Sequence, residues 1–428
     1  MRNALYLLLA VIGLGLIVGI VYYTQTPSPV ATVASAPQAP AAAPAPSSGP
    51  APDIRTGPAP AETPAPAPAV SITTLAGMPP VTDASNLYSE TQAGKLSPAT
   101  AGALERIYVP HVRAGEVYVI DPAKMEVVDR YKVAPNTQHV IPSWDLKTLW
   151  VAGSAEGGKS GSLTAIDPTT GKLGEKIQVR DAYNMYFTPD GQSAIVVAEL
   201  LQQLDFRDAH TMKLQKTIGT PNCPGINHAD YSIDGRYAIF TCEYGGGLLK
   251  INMETKRAVG FLKLSRGGMP QDIRISPDGK VFFVADMHAN GIFVIDGDAF
   301  QEIDFIETGV GTHGLYPSRD GKKLYVTNRG SNMVRGKPHG EGSVAVVDFA
   351  TRKVEKVWPI PGGGSPDMGN VTADGSHLWL SGRFDDVVYA IDTTTGNVKT
   401  IPVGREPHGL TVWPQPGRYS LGHTGNMR

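Results

Sequence analysis

The chain holds ten histidines, and six of them occupy equivalent places in a repeated pattern. His139, His228, His313 and His408 stand where an apolar run begins, the last inside Pro407-His408-Gly409. His111 and His288 stand where the following run ends. Asp272 shares the first kind of position; Asp286, Arg329 and Arg383 share the second. Converging imidazoles beside Asp and Arg suit three chemistries: an axial haem ligand, a transition-metal site, or a grip on an anionic substrate. No two of these residues have chelating spacing within one element, so a metal site must rest on separate segments meeting in space. Each histidine also has a plainer reading, as a strand or turn cap. Neither a Ser–His–Asp order nor a carboxylate pair marks a hydrolase.

The elements that position these residues are set by two recurring anchors. An apolar-apolar-Asp/Asn element appears at Ile120-Asp121, Ile166-Asp167, Ile251-Asn252, Ile295-Asp296, Val347-Asp348 and Ile391-Asp392, with a weaker copy at Arg207-Asp208. A turn element appears at Pro189-Asp190-Gly191, Ile233-Asp234-Gly235, Pro277-Asp278-Gly279, Arg319-Asp320-Gly321 and Ala373-Asp374-Gly375, with a weaker copy at Trp144-Asp145. The step from Asp190 to Asp208, Asp234 to Asn252, Asp278 to Asp296 and Asp374 to Asp392 is 18 residues each time. Two copies carry insertions, one of them Arg329–Gly342, a basic, glycine-rich flap with Arg335, Lys337 and His339. Between anchors lie short β-branched and aromatic runs, such as those covering 281–285 and 291–295, and Asp-Gly between such runs signals a hairpin.

Short strands at this period predict an all-β, seven-bladed propeller with four strands per blade. The first copy lacks an inner strand, while 407–413 is an inner strand with nothing after it. The ring is therefore expected to close by pairing this C-terminal strand into the first blade, which removes the exposed sheet edges. In such a ring the candidate residues fall on one face, around the mouth of the central channel.

These motifs, Ser-Pro-Asp-Gly followed by an aromatic-Val-Ala run, then Val-Ile-Asp, with Pro-His-Gly before an inner strand, resemble the YVTN-repeat propellers, a family similar to the d1-haem-binding propeller of the cd1-type nitrite reductases. The resemblance spans residues 88–428 and implies a ligand or cofactor at the His-rich face, with d1-type haem or a transition metal as the candidate cofactors. The chain has no Cys-x-x-Cys-His, so the electron-donating haem domain of a complete nitrite reductase is missing from it. The run 166–172 is also similar to quinoprotein dehydrogenase repeats, but Leu173 stands where those carry a docking Trp.

The ends of the chain speak to location. Arg2 precedes Leu5–Tyr23, 19 residues without a charge, about 28 Å long as a helix, enough for a bilayer core. Residues 1–25 are read as a signal anchor with the remainder exported, to the periplasm or cell surface; a cleaved signal peptide is the alternative, with Ala34-Ser35-Ala36 as the nearby cleavage match. Residues 26–87 are read as a disordered tether, because 13 prolines and 14 alanines in 26–70 leave too little apolar surface to fold. Residues 88–428 form the propeller. Cys223 and Cys242 lie at one end of a predicted hairpin, which in an exported chain favours a disulfide over a thiolate metal pair or free thiols. The polar tail after Trp413, with Arg418, His423 and Arg428, folds back over a face, docks a partner or frays.

With 428 residues, 41% of them hydrophobic, and a net charge of −2, the chain has ample core and no bulk basicity for nucleic acid. The primary expectation is an anchored, exported, non-catalytic module that binds a ligand, cofactor or partner protein at its His-rich face. A metal- or cofactor-dependent oxidoreductase or hydrolase on that face, and a structural envelope repeat protein, stand as alternatives.

Overall fold

In each repeat the turn builds itself from a few local hydrogen bonds. In Ser276–Val281 the Ser276 hydroxyl donates to Asp278 at 2.6 Å and accepts the Val281 amide at 3.1 Å, while Gly279 takes the left-handed φ of 71° that the hairpin requires. The same set recurs at Thr188/Asp190, Ser232/Asp234, Ser318/Asp320 and Thr372/Asp374. The weaker copy closes in the same way through Ser143 and Asp145, with Leu146 in place of glycine at φ 67°. The later Asp caps the next turn: Asp348 accepts the Thr351 amide at 2.8 Å, and Asp392 that of Thr395 at 2.7 Å.

The computed structural model describes residues 71–158, 160–335 and 340–428. Within them the strands form seven four-stranded antiparallel sheets, each a blade of a propeller. The blades start at the innermost strands Thr411–Trp413, Thr137–Pro142, Ala182–Phe187, Ile226–Tyr231, Pro270–Ile275, Thr312–Pro317 and Pro366–Val371, numbered here as blades 1 to 7. Blade 1 joins the two chain ends, with Ile107 opposite Val412 and Tyr108 opposite Thr411, so the ring closes as expected. Burial grades outward: Ala182–Phe187 is buried throughout, whereas the outer strand Leu173–Val179 is mostly exposed. The core lies between blades, as where Phe283 and Val294 of blade 5 meet Leu324, Val326 and Ala345 of blade 6.

One segment departs from the sequence reading, and a second decides between alternatives that it left open. Residues 71–87 were assigned to the tether, yet they are packed. The Leu75 and Leu87 side chains are buried, and their amides donate to Asp234 and Pro277 carbonyls at 2.8 and 2.7 Å. The proline and alanine bias stops short of them, and Leu75, Leu87 and Tyr88 provide the apolar contacts that fix the strap across the channel end carrying the Asp-Gly turns. The second segment is the tail, which folds back as a hairpin: Leu421 donates to Asn426 at 2.7 Å, and Arg428 to Tyr419 at 3.0 Å. Its tip, His423–Gly425, is wholly buried among the inner strands.

The signal anchor and the tether as far as residue 70 lie outside the described residues, as do Lys337 and His339 of the flap. Among the described residues no helix is long and apolar enough to cross a membrane.

Candidate functional site

A local irregularity turns the inner strands into a site. Six of the seven are bulged near their start, at Gln138-His139, Tyr183-Asn184, Asn227-His228, Gln271-Asp272, His313-Gly314 and Asp367-Met368. A bulge sets two residues against one on the partner strand and re-aims their side chains. Here it brings polar side chains from six blades to one mouth.

The upper layer is a cleft of ≈ 150 Å³ walled by His313, His408, Arg329, Arg383, Tyr183, Glu199 and Glu243, with Arg335 of the flap at its edge. Asp367 is the buried hub beneath it. His408 Nδ1 lies 2.6 Å from one carboxylate oxygen, and His313 Nδ1 lies 3.1 Å from the other. Arg329 Nε and Arg383 Nη1 stand at 3.4 and 4.0 Å. Burial holds both imidazoles well below the ordinary histidine pKa, which favours their neutral form; His408 is hydrogen-bonded to the carboxylate through Nδ1, whereas His313 Nδ1 only lies close to it. Arg383 keeps Nε and Nη1, and Arg329 keeps Nε, without a hydrogen-bond partner, although both residues are buried.

Across the cleft sits a carboxyl pair. Burial first, and then the neighbouring Glu243, push the Glu199 pKa well above the carboxylate range. Asn227 donates to Glu243 at 2.8 Å.

The lower layer is a knot of three histidines. His139 and His228 come from blades 2 and 4, and His423 from the tail hairpin; all three are wholly buried. Their ring centroids lie 5.5, 5.2 and 4.5 Å apart, and His408 stacks above at 4.9 Å from His139. Burial keeps all three neutral. His228 Nε2 faces the Tyr183 hydroxyl at 3.2 Å, and Asn184 donates to His423 Nδ1 at 2.9 Å. His139 has no hydrogen-bond partner on either ring nitrogen. A buried polar group left unpaired costs about 1–3 kcal/mol, so this ring is an expense the fold carries. Gly409 explains part of the Pro-His-Gly signature: a Cβ there would sit 1.9 Å from His139 Nδ1, so only glycine admits the ring.

Of the residues singled out from sequence, His139, His228, His313, His408, Asp272, Arg329 and Arg383 converge on this channel end. Asp272 lies 3.4 Å from His423 Nε2 and pairs with Arg274 at 3.3 Å. Three do not join them. His111 is buried in blade 1, where its Nε2 accepts the Gly404 amide at 3.0 Å and its ring packs on Tyr118. Asp286 accepts the amides of Met269, His288 and Ala289, which makes it a loop cap. His288 is exposed on that loop. Repeat alignment put these three on the correct end of the blade but not on its inner edge. Cys223 and Cys242 form the expected disulfide.

Sequence reasoning missed His423 as a site residue and Glu199–Glu243 as a pair. The two glutamates stand 44 positions apart on neighbouring blades, so only the ring brings them together. The glycines flanking the tail's Gly422-His423-Thr424-Gly425 were the available signal for a buried tight tip.

A family description for YNCE-like beta-propellers matches residues 63–416, which ends before the His423 hairpin tip. A curated relative, Antigen Lp49 of Leptospira interrogans, is 27% identical over 186 residues, 38% of this chain; the chain likewise spans only 38% of that protein. Among solved structures, a dihydro-heme d1 dehydrogenase, NirN, is similar with a TM-score of 0.53 and 16% identity, over 72% of this chain and 75% of that one. A periplasmic gluconolactonase of Pseudomonas aeruginosa gives 0.58 and 18%, over 73% and 99%. The hydrazine synthase of Kuenenia stuttgartiensis gives 0.51 and 18%, over 63% and 87%. At these identities the likeness is one of fold.

A tetrapyrrole, the cofactor implied by the resemblance to d1-haem propellers, does not fit this channel. The five imidazoles form one connected set of ring contacts, leaving no gap for a flat macrocycle between them, and the hairpin tip fills the space below. The cleft above, at ≈ 150 Å³, is smaller than the ~300–1,000 Å³ typical of sites for drug-sized ligands.

Proposed function

The chain belongs to the YNCE-like beta-propeller family, and on that premise we propose that it is an exported, membrane-anchored binding protein whose channel mouth holds a small hydroxylated anion. The observation that carries this reading is the pair of buried guanidiniums with unpartnered N–H groups, Arg383 and Arg329, opening on a cleft of matching size. Guanidinium donors in a desolvated cleft bind a carboxylate or phosphate through short charge-assisted hydrogen bonds. Neutral His408, hydrogen-bonded to Asp367 through Nδ1, leaves Nε2 to accept a ligand hydroxyl, and His313 stands beside the same carboxylate. Tyr183, Gln271 and the Glu199–Glu243 pair supply further polar contacts on the facing wall. The Cys223–Cys242 disulfide supports an oxidising, exported location, and the charge-free run 5–23 supports the anchor.

Titration of the full chain with gluconate and phosphate tests this reading. Arg383→Gln, which keeps bulk but loses charge, is expected to weaken binding by about 10-fold or more, in line with ~1.5–3 kcal/mol for a hydrogen bond to a charged group. Absence of binding to both anions, or equal binding by Arg383→Gln, removes the reading.

A second reading, hydrolysis of a small lactone or ester, is favoured by one observation. Two neighbouring carboxyls, one with its pKa pushed well up by burial, are the kind of pair from which a general acid and a general base are drawn. Gluconolactone added in the same experiment separates the two: turnover abolished by Glu199→Gln marks an enzyme, and binding without turnover marks a carrier.

A further inference from the structure

We propose that His139, His228 and His423 form a three-histidine site for a borderline divalent transition-metal ion such as Zn²⁺, with the third ligand delivered by the C-terminal hairpin. One potential ligand nitrogen from each ring lies within 4.8 Å of the others. A tetrahedral ion with bonds of ~2.1 Å holds its ligand atoms ~3.4 Å apart, so modest side-chain rotation closes the set. The second, independent observation is His139 itself, wholly buried with both nitrogens unpartnered. A metal ion satisfies that orphaned lone pair without opening the channel to water.

The donor set selects the class of ion. Three neutral imidazoles with no carboxylate or thiolate ligand suit Zn²⁺, Co²⁺, Ni²⁺ or Cu²⁺ and disfavour Ca²⁺ and Mg²⁺, which demand oxygen. The surroundings have the features of a metal site's outer shell. Asp272 stands 3.4 Å from His423 Nε2, as a carboxylate that orients a ligating imidazole. Asn184 lies between His423 and His228 at 2.9 and 3.3 Å, and Tyr183 reaches His228 at 3.2 Å. Three ligands leave a fourth position for water or an anion, and Tyr183 and His408, which border the triad, also wall the cleft. The site does not depend on the anion-binding reading, since it shares no ligand with Arg329 or Arg383. His139 and His228 lie within the family match and His423 beyond it, so the third ligand comes from the tail.

The test uses the tag-free full chain, stripped with a chelator and titrated with Zn²⁺ alone and with Co²⁺ alone. The expected result is about one equivalent of tightly held Zn²⁺ and a Co²⁺ visible spectrum of nitrogen ligation. His423→Gln and His139→Gln should each weaken binding by roughly 10–100-fold or more. His288→Gln, which alters an exposed histidine away from the triad, should bind like the parent. Circular dichroism confirms folding, and His423→Gln, at a hairpin tip outside the blades, keeps the test usable if His139→Gln does not fold. Failure to retain metal, or affinity unchanged in a folded His423→Gln variant, overturns the proposal.

Discussion

The two ends of the central channel are built from the same inner strands yet obey opposite rules. At the end of the Asp-Gly turns, the buried guanidiniums of Arg428 and Arg319 are tied to a carboxylate and to carbonyls. Arg428 reaches Asp230 at 2.5 Å, Asn426 joins the same carboxylate at 3.1 Å, and Arg319 donates to the Thr372 carbonyl at 2.9 Å. The strap of residues 71–105 and the tail hairpin cover this end. At the mouth, equally buried groups are left short of partners: both nitrogens of His139, Nε of Arg329, Nε and Nη1 of Arg383. Unpaired groups occur at the closed end too, Trp144 Nε1, Tyr231 Oη and Arg418 Nε among them, whereas those of the mouth gather around one cleft. The unmet donors and acceptors at the mouth are the groups on which the anion and metal proposals rest.

The largest effect is expected where the closed end is broken. Arg428→Ala leaves Asp230 buried with its main cation gone, a change that costs about 3–5 kcal/mol in comparable buried pairs. Denaturant unfolding of the metal-free chain measures it. A loss under 1 kcal/mol would show that the hairpin is held by its backbone bonds and not by this pair, and would weaken the contrast between the ends.

A somewhat smaller effect comes from His111, which lies outside the channel and tests whether burial alone explains a depressed histidine. Burial lowers its pKa from 6.5 to about 4, against the weaker opposing pull of backbone hydrogen bonds. The unfolded chain takes up the proton near 6.5 and the folded chain only near 4, so the unfolded state binds more protons between these values. Stability is therefore full above about pH 6.5, falls as the pH drops through the window, and levels off below about 4. The whole loss amounts to about 3 kcal/mol. The His111→Gln variant should lack this component of the pH dependence, and an unchanged pH slope would contradict the assignment.

Much of the fold was legible because each repeat carries its reasons locally. The Asp of Asp-Gly folds the turn and the later Asp caps the next one, so counting them counted the blades, and even Asp145 with Leu146 closes the same turn. Ring closure followed from two incomplete copies that need each other. The site was legible only in part. Periodicity located the starts of the inner strands, and so found His139, His228, His313 and His408, but it does not report the bulges that decide which way side chains point. Asp286 and His288 were therefore placed at the rim, although Asp286 is a buried cap at the end of its strand and His288 lies exposed on the loop it caps. The tail was the least legible. Its polarity reads as a solvated end unless a polar channel is already in view to receive it. Asp230, Asp272 and Asn370, which accept or orient it, are spread across three blades.

The smallest effect on stability is also the sharpest test of the contrast, because its sign should reverse. At the closed end every truncation of a charged group is expected to destabilise. At the mouth, His139→Leu replaces a buried ring with two unmet nitrogens by an apolar side chain of similar bulk. Swapping an unsatisfied polar group for an apolar one is neutral or stabilising, so the metal-free variant should match or exceed its parent by up to about 1 kcal/mol. Zn²⁺ should then restore the usual order. An ion that binds only the folded parent, at 100 times its dissociation constant, adds about 2.7 kcal/mol and leaves His139→Leu behind. The measurement is a pair of unfolding curves for each protein, with chelator and with Zn²⁺. A clear loss of stability for His139→Leu in chelator would mean that the imidazole serves the fold, and that the mouth follows the same rule as the closed end.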